Sequence, residues 1–338
     1  MIDLRSDTVT RPGAAMLQAM ANAPMGDDVM GDDPTVIRLQ KTLAERTGKA
    51  AGLFFPSGTQ SNLAALMAHC DRGDEYLVGQ LAHTYKYEGG GAAVLGSIQP
   101  QPIEHAPDGS LPLEKLVAAQ KPKGDPHFAR TRLLALENTF HGKLIPAAYI
   151  HAATSWAREQ GLSTHLDGAR VFNAAVASGK PVAELCQPFD SVSICFSKGL
   201  GAPVGSVLVG SEALIARAHR WRKMLGGGLR QSGILAAAGL YAVEHNVDRL
   251  AEDHRRARRL AEGLAAHAAL KVTMPDTNIV FVDSDEDTGQ RFTQFLQSRG
   301  VGLTGRYGQQ RWVTHLDIDD DALDGALQAV GSFFAEGH

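Results

Sequence analysis

The most chemically specific stretch of the sequence is CFSKGLGAPVGS. Here Lys198 follows the small polar residues Ser191, Ser193 and Ser197 and precedes Gly199, Gly201 and Gly205. A lysine in such a setting suits a covalent imine with an aldehyde, because its ammonium must first lose a proton, and desolvation or neighbouring cations ease that loss. The same letters also fit a surface lysine in a glycine-rich turn, or a degenerate dinucleotide loop. That loop lacks the acidic residue ~20 positions downstream that would hold a ribose. Asp167, in HLDGAR, is the second candidate, with Arg170 beside it. A carboxylate facing a pyridine nitrogen keeps that ring protonated and makes it an electron sink; an Asp–Arg pair at a strand end also serves as a structural contact. The third is Ser57-Gly58-Thr59-Gln60. Backbone N–H groups at a helix start, joined by the Thr59 hydroxyl, cradle a phosphate, and the same residues also read as an ordinary helix cap. No GxxxxGK[ST] loop is present, so a triphosphate is not implied.

These residues need elements to position them. Apolar runs predict strands at Leu53–Phe55, Glu75–Gly79, Leu133–Leu136, Ser163–Leu166, Ser191–Phe196 and Val204–Val209, with helices after SGTQ and over His151–Gln160. Alternation of this kind implies an α/β fold with a mostly parallel sheet covered by helices on both faces. Ligands bind such sheets beyond the carboxyl ends of the strands. SGTQ, Glu137, Asp167 and Lys198 all fall at predicted strand ends, which makes them candidates for one site. Upstream, residues 1–11 read as an extended arm, Pro12 opens a helix with Met16, Leu17 and Met20 on one face, and Asp33-Pro34 caps another that Gly48 ends. Beyond GGG at 226–228 and a long helix from Gln231, the texture changes to a basic helix (DHRRARRLAEGL), strands around Asn278–Val282 and Trp312–His315, and helices over 287–299 and 319–335. The division expected is an arm and helix over 1–30, a large α/β domain over 31–245 and a smaller α+β domain over 246–338.

The chain of 338 residues is 44% hydrophobic and 21% charged, with a formal charge of −4. That balance excludes a disordered or fibrous class and lacks the basic footprint of a nucleic-acid or membrane-surface binder. Cys70, Cys186 and Cys195 are widely spaced and never form CxxC, which argues against a disulfide framework or a thiolate zinc site and fits a reducing cytoplasm. The charged N-terminus reads as no signal peptide, and no apolar run is long enough for a membrane span. The acidic loop 26–33 has no EF-hand spacing, and no metal site is expected.

Cradle, Asp and Lys in that order, each at a strand end, match fold-type I pyridoxal-phosphate enzymes. LRSDTVTRP, GDDVMGDDPTV, PSGTQSNLAAL, AHTYKYEGGGAAVLGS, LENTFHGK, HLDGARVFNA, SICFSKGLGAPVGSVLVG, RWRKMLGGGLRQSGILAAAG and RWVTHLD run through nearly the whole chain. Together they resemble the low-specificity and L-allo-specific L-threonine aldolases. The resemblance implies an aspartate aminotransferase-like large domain and pyridoxal 5′-phosphate as cofactor. It implies Lys198 as the imine-forming residue and Asp167 as partner of the pyridine N–H. His83 would stack on the ring and approach the substrate hydroxyl. Gly58, Thr59 and Ser197 would hold the phosphate, and Ser6, Arg170 and Arg311 the substrate carboxylate, with Arg170 also close to the cofactor. His127 would flank the hydroxyl pocket and share with His83 the general-base role; Glu88 would lie close by. Lys223 and Arg230 would approach a neighbouring subunit's cofactor in a homotetramer built as a dimer of dimers. The family's His-Asn pair is replaced here by Phe140-His141, and Met30 stands where relatives often carry tyrosine.

The implied reaction is retro-aldol cleavage of L-threonine or L-allo-threonine to glycine and acetaldehyde, reversible as aldol addition of glycine, with a place in threonine catabolism and glycine formation. The same Lys, Asp and phosphate set also serves other pyridoxal-phosphate lyases and serine hydroxymethyltransferase-like enzymes, which remain the alternative at this point.

Overall fold

The computed structural model describes residues 1–306 and 308–336. Its centre is a seven-stranded sheet. In chain order the strands are β1 (Ala51–Phe55), β2 (Asp74–Gly79), β3 (Gln99–Ile103), β4 (Arg130–Glu137), β5 (Ser163–Asp167), β6 (Ser191–Cys195) and β7 (Ser206–Gly210). They lie side by side as β1-β7-β6-β5-β4-β2-β3. Only β7 pairs antiparallel with its neighbours, which makes the sheet mostly parallel, as the strand–helix alternation predicts. β5 and β6 are buried on both faces with almost no alternation, the pattern of a sheet covered by helices on each side. The edge strand β3 is absent from the sequence reading. Its residues, QPQPI, include Pro100 and Pro102, which cannot donate to a ladder and are tolerated because one side of the strand is unpaired.

Local signals account for the ends of the main helices. Asp33 accepts hydrogen bonds from the Thr35 and Val36 amides, Pro34 occupies the first turn, and Gly48 closes the helix Pro34–Thr47 at φ 67°, a left-handed conformation glycine adopts without strain. Helix α1 (Gly58–His69) is capped by Ser57 and has nine buried residues, so beyond its first turn it runs inside the domain with no face open to solvent. In the helix Ala14–Ala21, Met16 is buried whereas Leu17 is half exposed, so the apolar face is narrower than its letters imply.

A second core gathers Leu4, Leu260, Val280, Phe292, Trp312 and Phe333 around an antiparallel four-stranded sheet. Ile2–Asp3 pairs in parallel with Val301–Gly302, so the first residues of the chain join this core. The basic helix Leu250–Ala265 buries Leu250, Ala257, Leu260 and Leu264, while Arg255, Arg256 and Arg259 pair with Asp320 and Asp324 of the helix Asp320–Ala335. Among the described residues no helix is long and apolar enough to cross a membrane.

Candidate active site

The carboxyl ends of β4, β5 and β6 lie next to one another, and Glu137 and Asp167 are direct cross-strand neighbours. Asp167 is buried; its Oδ1 accepts the Ala169 amide at 3.0 Å and its Oδ2 the Asn62 side-chain amide at 2.9 Å. Lys198 follows β6 and is half-buried, and its Nζ forms no hydrogen bond or ion pair with any described residue. Its charge lowers the pKa values of Asp7 and Glu137 and that of the His83 imidazole, which places all four in one field.

His83 opens a single helical turn after β2, where its backbone N–H donates to Glu137 Oε2 at 3.0 Å. Its Nδ1 lies 2.8 Å from Glu88 Oε1, and this contact holds the imidazole pKa above its ordinary value. Burial raises the Glu88 carboxyl. Burial, reinforced by Asp167, also pushes Glu137 up to about 7. Polar atoms of His83, Glu88 and Asp167 fall within 4.8 Å of one another. Asn62 Nδ2 donates to both carboxylates, so His83, Glu88, Asn62 and Asp167 form one hydrogen-bonded chain.

At the start of α1 the Gly58 and Thr59 amides precede the first intrahelical bond, from Ser61 N to Ser57 O, and have no acceptor among the described residues. Thr59 is exposed, and Ser197 Oγ reaches Cys195 Sγ at 3.3 Å. A Cβ on Gly58 would meet Ser206 Oγ at 3.4 Å and the Cys195 side chain at 3.9 Å. Those are ordinary contact distances, so what the cup offers is its free backbone N–H groups at a helix start. Gln60 Nε2 donates to Leu225 O at 3.0 Å, and a Cβ on Gly227 would collide with the Gln60 side chain, so the glycine-rich loop packs against this helix start.

A third group forms where the N-terminal arm meets both cores. Ser6 caps the short turn Asp7–Val9. Asp7 is fully buried and accepts from Arg170 Nε at 2.8 Å, Arg170 Nη2 at 2.7 Å and Asn278 Nδ2 at 3.2 Å. Arg311 is anchored from Nη1 to Arg5 O at 3.2 Å. Burial and the positive charge of Arg170 bring Arg311 down to about 10, still protonated at neutral pH. Arg170 and Lys198 hold Asp7 well below the usual carboxylate range against the cost of burial.

Known proteins separate the possibilities this geometry leaves open. The family described as beta-eliminating lyase matches residues 3–287. The low specificity L-threonine aldolase of Escherichia coli O157:H7 is 57% identical over 323 residues, covering 96% of each chain. A probable low-specificity L-threonine aldolase of Arabidopsis thaliana is 49% identical over 98% of this chain and 97% of its own. This chain belongs to the L-threonine aldolase family. Among solved structures, a threonine aldolase of Leishmania major superposes with a TM-score of 0.82 at 20% identity, over 98% of this chain and 99% of that one. The structure of a putative L-allo-threonine aldolase from Listeria monocytogenes gives 0.79 at 23% identity, over 95% and 93%. At such identities these two support the fold, which is fold-type I.

L-threonine aldolases are pyridoxal-phosphate enzymes, and the residues present fit that cofactor. The cup offers free amides for a phosphate, Asp167 is an acceptor fixed at a strand end, and Lys198 is an amine without a partner. The structure brings Lys198, Asp167, His83, Glu88, Gly58, Thr59 and Ser197 to the strand ends and Ser6, Arg170 and Arg311 to the arm. It does not bring His127 there. His127 precedes β4, whose two ends lie about 23 Å apart. Its side chain is 84% exposed and bonds to Asp125. Lys223 and Arg230 are exposed as well, with Arg230 paired to Asp27. The sequence reading missed Asp7 and Asn62, both buried polar residues inside recognised motifs (LRSDTVTRP and PSGTQSNLAAL). It also missed Arg222, buried between Phe54 O and Asp28. Met30 is exposed, and His141, at φ 51°, packs against Phe140 and Phe281.

Proposed function

We propose that this chain cleaves β-hydroxy-α-amino acids such as L-threonine and L-allo-threonine to glycine and an aldehyde, and adds glycine to aldehydes in the reverse direction. The observation that carries the reading is a cation without a carboxylate. Asp7 pairs with Arg170, whereas Arg311, partly buried beside them, has only the Arg5 carbonyl as acceptor and no carboxylate partner among the described residues. A substrate carboxylate supplies that partner, and the planar fork of arginine suits that group.

When bound, pyridoxal phosphate supplies an electron sink for the pair released from the Cα–Cβ bond. Lys198 provides the amine to which the cofactor attaches, Asp167 the acceptor for its ring N–H, and Gly58, Thr59 and Ser197 the phosphate cup. Arg170, Arg311 and Ser6 would clamp the substrate carboxylate and so set the orientation of the groups on Cα. His83, with Nδ1 tied to Glu88, keeps Nε2 for the substrate hydroxyl and moves its proton; a positioned base of this kind contributes ~10²–10⁴-fold.

His127, Lys223 and Arg230 act across a subunit boundary in this reading, in a homotetramer made of two dimers, because all three are exposed in the single chain. The three buried free cysteines support a reducing, cytoplasmic setting. The division into 1–30, 31–245 and 246–338 draws support from two separate cores, although Met16 and Leu250 pack in the first and Leu4 in the second.

The direct test is glycine release from L-threonine without tetrahydrofolate, together with the absorbance of the purified protein. Lys198→Ala is expected to lose both the visible imine band and turnover. Turnover retained without added amine removes Lys198 from its role, and a stable active monomer in size exclusion with light scattering removes the shared site.

A further inference from the structure

Behind Asp167 lies a chain of buried polar side chains that no part of the reaction scheme above uses. Asn62 Oδ1 is 3.1 Å from His165 Nε2; His165 Nδ1 is 2.8 Å from Ser191 Oγ; and Ser191 Oγ is 2.7 Å from His69 Nε2. All four residues are buried.

The direction of every bond follows from chemistry. The oxygens of Glu88 and Asp167 that face Asn62 accept, so both must meet its nitrogen, which has two hydrogens to give. Asn62 Oδ1 therefore points at His165, whose proton must sit on Nε2. A neutral imidazole has one N–H, so Nδ1 accepts, and it accepts the single proton of the Ser191 hydroxyl. Ser191 Oγ then receives the Nε2–H of His69. Burial keeps both imidazoles neutral, His165 down to about 4 and His69 down to about 3. The four bonds run one way, from His69 to Asp167, and a chain so aligned polarises cooperatively toward its end.

We propose that Asn62 is a positioning residue that presents Asp167 to the cofactor ring as a pure acceptor and bridges it to Glu88, with the His165–Ser191–His69 chain locking the orientation of the Asn62 amide. Without that bridge two buried carboxylates share a site with no donor between them, a costly arrangement. The ionisable groups around Asp167 are Glu88, Glu137, His83, His165 and Lys198. Only Asn62 donates to Asp167 from a side chain among the described residues.

The inference rests on Asp167 serving the cofactor ring, so the experiment carries Asp167→Asn in parallel. Wild type, Asn62→Ala, Ser191→Ala and Asp167→Asn are purified as apoproteins. Each is titrated with pyridoxal phosphate for its dissociation constant, and each reloaded protein is titrated with pH at the visible band. Asn62→Ala is expected to weaken cofactor binding roughly tenfold or more, as loss of a hydrogen bond to a charged group implies, and to displace the band's titration in the same direction as Asp167→Asn. Ser191→Ala, which cuts the chain without touching Asp167, is expected to give a smaller shift of the same sign, and it carries the test alone if Asn62→Ala does not fold. Wild-type values in Asn62→Ala or Ser191→Ala beside a shifted Asp167→Asn overturn the proposal and leave the role of Asp167 standing. Wild-type values in all three overturn both. A lowered apoprotein Tm with unchanged binding and titration reduces Asn62 to a packing residue and also overturns it.

Discussion

Arg170 grips Asp7 side-on, Nε to Oδ2 at 2.8 Å and Nη2 to Oδ1 at 2.7 Å, and so ties the N-terminal arm to the turn that follows β5. Asp7 is buried and Arg170 nearly so, and the strong downward shift of Asp7 and upward shift of Arg170 have the same origin in their mutual attraction. The remaining N–H groups of Arg170 have no acceptor among the described residues.

Asp7→Asn removes the charge but keeps an acceptor. It is expected to raise KM for L-threonine about tenfold with a smaller change in kcat, because the guanidinium is no longer held in one orientation. Breaking a buried pair from one side costs up to about 3–5 kcal/mol, so Tm falls too. Steady-state kinetics with a thermal melt check this; a KM within twofold of wild type would show that Asp7 does not orient the clamp.

Glu88→Gln addresses His83. The Glu88 carboxylate is the largest cause of the raised His83 pKa, so without it the imidazole loses its proton at lower pH. If His83 works as a base, the acidic limb of the kcat/KM profile moves to lower pH in the variant. An unmoved limb assigns the base elsewhere.

The fold holds several histidines neutral by burial: His69 down to about 3, and His105, His141, His165 and His254 down to about 4. Between those values and the ordinary ~6.5 the unfolded chain binds protons that the native one does not, so stability falls as pH drops through that window. Tm is expected to decline by several degrees or more from pH 7 to pH 5. His254→Gln, whose native ring meets Asn173 at 3.2 Å away from the strand ends, lessens the slope. A flat Tm over this range would contradict the buried neutral state.

His127→Ala separates a surface role from a shared-site role. With its side chain 84% exposed, the substitution leaves the apoprotein Tm within about a degree. It is expected to alter the ratio of threo to erythro substrates cleaved, which requires a second copy to bring the imidazole to the pocket. Unchanged rate and ratio would make His127 a surface residue.

What the residues alone determined is the class of the fold and which candidate groups fall at the strand ends. Strand–helix alternation implied a mostly parallel sheet, and Gly58, Thr59, Asp167 and Lys198 could be placed at strand ends because strand length and cap chemistry are local properties. What the tertiary structure decided is how separated segments meet. Asp7, Arg170, Asn278 and Arg311 converge only after the arm threads against the second core, and no spacing along the chain encodes that contact. Asn62 and His165 are unremarkable letters on a helix and a strand until sheet packing buries them together, where hydrogen bonding becomes obligatory. The edge strand β3 escaped notice because its prolines oppose local strand propensity, and only its position at the rim makes them acceptable. His127 shows the reverse: its motif implies a pocket, yet the direction of β4 carries it toward the amino ends of the strands, away from Glu137, where its side chain is exposed.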